Sequence, residues 1–219
     1  MKISDITLFC RNYFTPPVCQ IDTCHKKVWK ESCICFSCLK KVIHGRLRAA
    51  KIEADTNSYS LFSYTKEVQE LIHGLKYKHL KKNASFLLRW LPKDCLLMNA
   101  LKDIDLVTCV PLHKIKKRER GYNQAELLGK TVATTLDVPL KGDLLQRQKH
   151  TKTQAKLSMA DRQYNMSKIF ATNSKSAVLG KRILLVDDVQ TTGATTRACR
   201  NVLLEAGAIE VKTFTVARA

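Results

Sequence analysis

The stretch RILLVDDVQTTGATT, Arg182 to Thr196, runs from aliphatic residues through two adjacent carboxylates into threonines around one glycine. Ile183 to Val186 is a continuous apolar run, and it reads as a buried strand. ATTRACRNVLLEAG, from Ala194, has helical spacing and ends on Gly207 in the C′ role. VKTFTVA, Val211 to Ala217, reads as a last strand. Upstream, IDLVTCV is a strand closed by Pro111, and YNQAELLGKTVATTL is a helix. Strand, loop and helix in alternation predict an α/β fold with a parallel central sheet flanked by helices.

In an open parallel sheet, ligands bind beyond the carboxyl ends of the strands, where Asp187 and Asp188 are expected to emerge. The following turn leads into a helix N-terminus, whose unpaired N–H groups and positive dipole end favour an anion. Thr191, Thr192 and Thr195 add hydroxyl donors, while Gly193 and Ala194 keep the backbone accessible. Two carboxylates beside a phosphate repel it unless the ligand brings donors or a cation. A ribose diol supplies the donors and Mg2+ the cation, so a 5-phosphoribosyl group suits both halves of the segment. A simple N-cap would account for one acid and one threonine, but not the ordered set.

VDDVQTTGAT resembles the phosphoribosylpyrophosphate-binding loop of the type I phosphoribosyltransferase fold. The resemblance implies that Asp187 and Asp188 hold the ribose hydroxyls, that Thr191 to Thr195 wrap the 5-phosphate, and that Mg2+ accompanies the ligand. VPLHKIKKRERGYNQAELLGK and TKTQAKLSMADRQYNMSKIF are similar to segments of the ComF-type competence proteins, so the likeness spans most of the chain. It implies a cytoplasmic protein of bacterial DNA uptake, with single-stranded DNA, phosphoribosylpyrophosphate or a related sugar phosphate, and the ComF-operon DNA helicase or translocase as partners.

Between His113 and Gly121, five cations (Lys114, Lys116, Lys117, Arg118 and Arg120) face one acid, Glu119, directly after a strand. This is the place of the pyrophosphate loop in phosphoribosyltransferases, and the cluster suits a diphosphate or a nucleic-acid backbone equally. Gln146 to Ser158 is so polar that it reads as a loop, with Arg147, Lys149, Lys152 and Lys156 as a second basic set. Tyr122 and Tyr164 lie near these cations, more as core or loop anchors than as stacking rings.

Six of nine cysteines fall between Cys10 and Cys38, a density that suits metal binding better than disulfides in a reducing compartment. Cys35-x-x-Cys38 has the spacing of a Zn2+ knuckle, and Cys19 and Cys24 complete a four-thiolate set. ComF-type proteins usually carry two Cys-x-x-Cys pairs, whereas the first pair here is stretched. His25, Cys33 or Cys10 therefore stay open as alternative upstream ligands. Cys95, Cys109 and Cys199 read as core residues. The expected organisation is a zinc-ribbon-like module over residues 1–45, then a phosphoribosyltransferase-like domain over 46–219 whose first part, 46–100, is a helical linker and hood.

The formal charge of +19 points to anionic partners. The N-terminus lacks the unbroken apolar core of a secretory signal, and no window has the apolar length of a membrane span. Three functions follow. The first is a DNA-uptake protein using the phosphoribosyl pocket for binding or regulation; the second is a working phosphoribosyltransferase whose acceptor and catalytic residues are unassigned. A basic zinc module for RNA or ribosomes ranks last, because it leaves the phosphoribosyl loop unexplained.

Overall fold

The computed structural model describes residues 18–28, 32–47, 57–148 and 169–219. In chain order the elements are α1 (Phe36–His44), β1 (Ser58–Ser63), α2 (Lys66–Tyr77), α3 (Lys82–Leu88), a 3-10 turn (Leu91–Lys93), α4 (Cys95–Ala100), β2 (Leu106–Cys109), α5 (Lys114–Arg120), α6 (Gln124–Leu136), β3 (Leu145–Arg147), β4 (Phe170–Thr172), β5 (Arg182–Gln190), α7 (Ala194–Glu205) and β6 (Glu210–Arg218). Four parallel strands form the main sheet in the order β1-β6-β5-β2, and β3 pairs antiparallel with β4.

Alternation along β5 divides the core. Leu184 and Val186 pack with Val107, Leu128, Val132 and the α2 residues Leu71 and Leu75. Ile183 and Leu185 pack on the other face with Cys199 and Leu203 of α7. The same parity sends Asp188 toward the α2 face and Asp187 toward α7. The apolar stripe of α2 (Val68, Leu71, Ile72 and Leu75) is buried as its spacing predicts.

Several elements differ from the sequence reading. β5 does not stop at Val186 but continues through both aspartates to Gln190, which pairs with Arg218. The acids therefore sit within the last residues of the strand, not beyond it. β1, SYSLFS, was hidden by its serines inside the stretch read as helical. Ser58 and Ser60 are buried with their hydroxyls satisfied, Ser60 by Thr215 and Ser58 by donating to Gln190 at 2.7 Å. Gln146 and Arg147 belong to β3 rather than a loop. Cys109 and Cys199 are core residues as expected, but Cys95 is exposed at the first position of α4.

Gly129 allows α6 to lie directly on β2, because a Cβ there would collide with Cys109 Sγ and stand 3.3 Å from Leu140 Cδ1. Gly129→Ala is expected to destabilise the fold by about 1–3 kcal/mol, measured as a lower denaturant midpoint. An unchanged midpoint would mean that this contact yields without cost.

Among the described residues, no helix is long and apolar enough to cross a membrane.

Candidate functional site

β5 and α7 meet in the turn Thr191-Thr192-Gly193. Gly193 is the N-cap of α7 and adopts φ +70°, the left-handed region that favours glycine. A Cβ there would lie 2.9 Å from an Arg197 guanidinium nitrogen and 3.1 Å from Gln190 Nε2, so the glycine also makes room for two polar side chains. Thr196 is buried and its hydroxyl donates to the Gly193 carbonyl at 2.9 Å, which fixes the turn from beneath. The Arg197 N–H closes the first helical turn on the same carbonyl at 2.9 Å. Amides ahead of it have no acceptor within the helix. Thr191, Thr192 and Thr195 are exposed around them, Ala194 is half-buried, and the Ala194 N–H leans on Thr192 Oγ1 at 3.4 Å. The turn thus carries backbone donors, exposed hydroxyls and the Arg197 cation, groups whose chemistry suits an anion.

The two aspartates are not equivalent. Asp188 is buried, and one carboxylate oxygen accepts from Lys76 Nζ of α2 at 2.8 Å. Its other oxygen, also buried, has no hydrogen-bond partner among the described residues. Asp187 is half-buried and accepts the Asp188 backbone N–H at 2.8 Å. Burial, and then the neighbouring Asp188 carboxylate, push the Asp187 carboxyl up to about 8 against weaker pulls from the Asp188 N–H and Lys76. Two acids with one orphaned oxygen and one raised pKa form a site that gains from a cation or hydroxyl donors. Lys76 lies outside the apolar stripe of α2, among its polar residues. Its role depends on a contact between distant parts of the chain that no local pattern carries, and the same holds for Arg197.

The basic segment after β2 is a short helix, α5, rather than a loop. Gly121 ends it with φ +73°. The residues that follow explain the motif RGYNQAELL. Tyr122 is buried and its hydroxyl donates to the Leu75 carbonyl, anchoring α5 to α2 as a loop anchor should. Asn123 caps α6 by accepting the Ala125 N–H at 3.1 Å, and its amide donates to the Val110 carbonyl at 3.0 Å, tying α6 to the end of β2. Arg120 donates to Gln124 at 2.9 Å, and Lys117 pairs with Glu126 at 2.9 Å. Two of the five expected cations are therefore held by α6. Lys114, Lys116 and Arg118 make no ion pair among the described residues. Arg147 of the second basic set stacks over Phe170 at 5.7 Å, and Lys149, Lys152, Lys156 and Tyr164 lie outside the described residues.

Near the N-terminus, the thiols of Cys19, Cys24, Cys35 and Cys38 all lie within 4.8 Å of one another. Cys24 Sγ is 3.5 Å from Cys35 Sγ. Tetrahedral thiolates around a zinc-sized ion would be separated by about 3.8 Å, so the set suits a structural metal such as zinc. The stretched first pair is accommodated by a small hairpin, in which Val18 bridges Lys27, the Cys19 N–H donates to Lys26 at 2.9 Å and the Cys24 N–H donates to Ile21 at 2.8 Å. His25 and Cys33 stand outside the group, and Cys10 lies outside the described residues. Burial opposes ionisation of Cys35, but hydrogen bonds from Ser37, the Cys38 backbone and Cys24 bring its thiol down to about 6, whereas burial raises Cys19 and Cys38. The hairpin meets α2 through Ile21 in the shared core and, just past the helix end, the Asp22–Lys78 pair at 2.7 Å, while α1 adds the Lys41–Glu67 pair at 3.2 Å.

Comparison with known proteins agrees with this arrangement. A family model for the phosphoribosyl transferase domain matches residues 123–219, which contain α6, β5, the turn, α7 and β6. Competence protein F of Haemophilus influenzae is 33% identical over 160 residues, covering 71% of this chain and 70% of that protein. The DNA utilization protein YhgH of Salmonella typhimurium is 31% identical over 162 residues, covering 73% and 70%. Competence protein ComFC of Bacillus subtilis is 39% identical over 110 residues, half of this chain and 42% of that protein. Identity of this degree across most of both chains, with the sheet order and turn described above, places the protein in the ComF family, on a type I phosphoribosyltransferase-like α/β fold.

Proposed function

We propose that the protein acts in DNA uptake or utilization in the cytoplasm, holding a phosphoribosyl ligand with Mg2+ in the β5–α7 cradle and single-stranded DNA on its basic surface. The observation that carries the ligand half is the pairing, on one strand-to-helix turn, of two unequal aspartates with a left-handed glycine and exposed threonines. In this reading Asp187 and Asp188 take the ribose hydroxyls or the cation, and Thr191 to Thr195, helped by Arg197, take the 5-phosphate. Cys19, Cys24, Cys35 and Cys38 hold Zn2+ as a structural ion. The names of the relatives, competence proteins and a DNA utilization protein, support the DNA half. So does the +19 charge. A DNA helicase or translocase is the partner that such a role calls for.

The DNA half is tested by titrating a labelled single strand at several salt concentrations. With four or more phosphates neutralised, the log–log slope is expected to reach about −3 or steeper. A flat response would defeat this half. Adding phosphoribosylpyrophosphate to the same titration asks whether sugar phosphate and strand share one surface. Pyrophosphate release with a panel of bases would instead favour a working transferase.

A further inference from the structure

We infer that the ladder of rings and guanidinium on α2 and α5, formed by His73, Tyr77 and Arg120, is a stacking platform for unpaired bases of a nucleic-acid strand. The inference rests on the reading that the protein binds single-stranded DNA, and it gives that binding a place. Tyr77 is 58% exposed, unusual for a large ring on a helix whose other face is core. Its ring lies 4.6 Å from that of His73, one helical turn away on α2. The Arg120 guanidinium lies 4.8 Å from the Tyr77 centroid and is held in place by Gln124. Tyr122, nearby, spends its hydroxyl on Leu75 and is buried, so its role is structural. The Tyr77 hydroxyl makes no hydrogen bond among the described residues, while its ring contacts His73 and Arg120.

Beside this ladder opens a cavity of about 180 Å³ lined by Lys76, Tyr77, His79, Lys116, Glu119 and Arg120. With Lys76 paired to Asp188, Lys116 and Arg120 still outnumber Glu119 in this lining, a balance that favours a phosphate there. Aromatic and guanidinium planes next to backbone-binding cations are the combination by which proteins hold single strands without reading sequence, because every base has a π-face. A duplex hides those faces. Lys76 also pairs with Asp188, so the platform begins at the edge of the phosphoribosyl cradle.

Fluorescence anisotropy with a short labelled single strand tests the assignment. Tyr77→Ala is expected to weaken binding by about tenfold, Tyr77→Phe to leave it within about twofold of the parent because the ring face is what matters, and a duplex of the same sequence to bind less tightly. Arg120→Ala, on the other side of the ladder, is expected to weaken binding and flatten the salt slope, and it guards against a folding defect in Tyr77→Ala. If the parent protein binds no strand, the DNA reading fails and the platform with it. If the parent binds while Tyr77→Ala and Arg120→Ala bind equally well, or if duplex binds as tightly, the platform alone is overturned.

Discussion

Replacing Cys35 and Cys38 with serine is expected to abolish metal retention and to lower the melting temperature by roughly 10 °C. The size of the effect follows from where the hairpin sits. Residues 18–28 contribute few buried apolar groups of their own, chiefly Cys19, Ile21 and Val28, too few to hold a separate fold. Those groups are nevertheless part of the core that includes Leu71 and Leu75 of α2. Without Cys35 and Cys38, only Cys19 and Cys24 of the four grouped thiols remain, and a metal that closes the hairpin would have too few ligands to stay. Metal analysis combined with thermal melting checks the expectation. Full occupancy in both single serine variants would remove these cysteines from the ligand set. Because α2 carries both the hairpin contacts and Lys76, the metal-free protein is also expected to bind the phosphoribosyl ligand less tightly.

The second large effect concerns the aspartates. Phosphoribosylpyrophosphate with Mg2+ at about a hundred times its Kd should stabilise the protein by about 2.7 kcal/mol, which for a chain of this size raises the melting temperature by roughly 5–10 °C. Asp187→Asn with Asp188→Asn should abolish that rise. The pH dependence has a definite sign. The unfolded chain releases the Asp187 proton near 3.8 and the folded protein near 8, so this group makes the ligand-free protein less stable as pH rises between those values. A ligand that needs the carboxylate must displace the same proton. Its affinity is therefore expected to rise with pH up to about 8 and then level off, with proton release visible as a buffer-dependent heat of binding. A flat profile would mean that Asp187 meets the ligand already ionised or not at all.

What could be read from sequence was what lies contiguous in it. The strand, the two acids, the glycine and the threonine turn occur within fifteen positions, so the strand-to-helix turn of the proposed cradle was legible from Arg182 to Thr196. The cysteine set was legible from Cys35-x-x-Cys38, although choosing Cys24 over His25 needed the hairpin geometry. β1 was not, because its buried serines Ser58 and Ser60 bond to Gln190 of β5 and Thr215 of β6 and leave no apolar alternation to follow. Charge counting overstated the basic segment, since Gln124 and Glu126 of the next helix hold Arg120 and Lys117. Lys76 and Tyr77 were also illegible. Their surroundings come from β5 and α5, and helical periodicity shows which residues leave the core but not what they meet outside it.

In the proposed function the β5–α7 turn cradles a sugar phosphate whose hydroxyls or cation meet the aspartate pair. A structure of the protein soaked with phosphoribosylpyrophosphate and Mg2+ tests it most directly. The 5-phosphate is expected on the backbone amides around Gly193, with Lys76 drawn away from its 2.8 Å contact with Asp188. An unchanged Lys76–Asp188 pair beside an empty turn, or a ligand bound elsewhere, would contradict it.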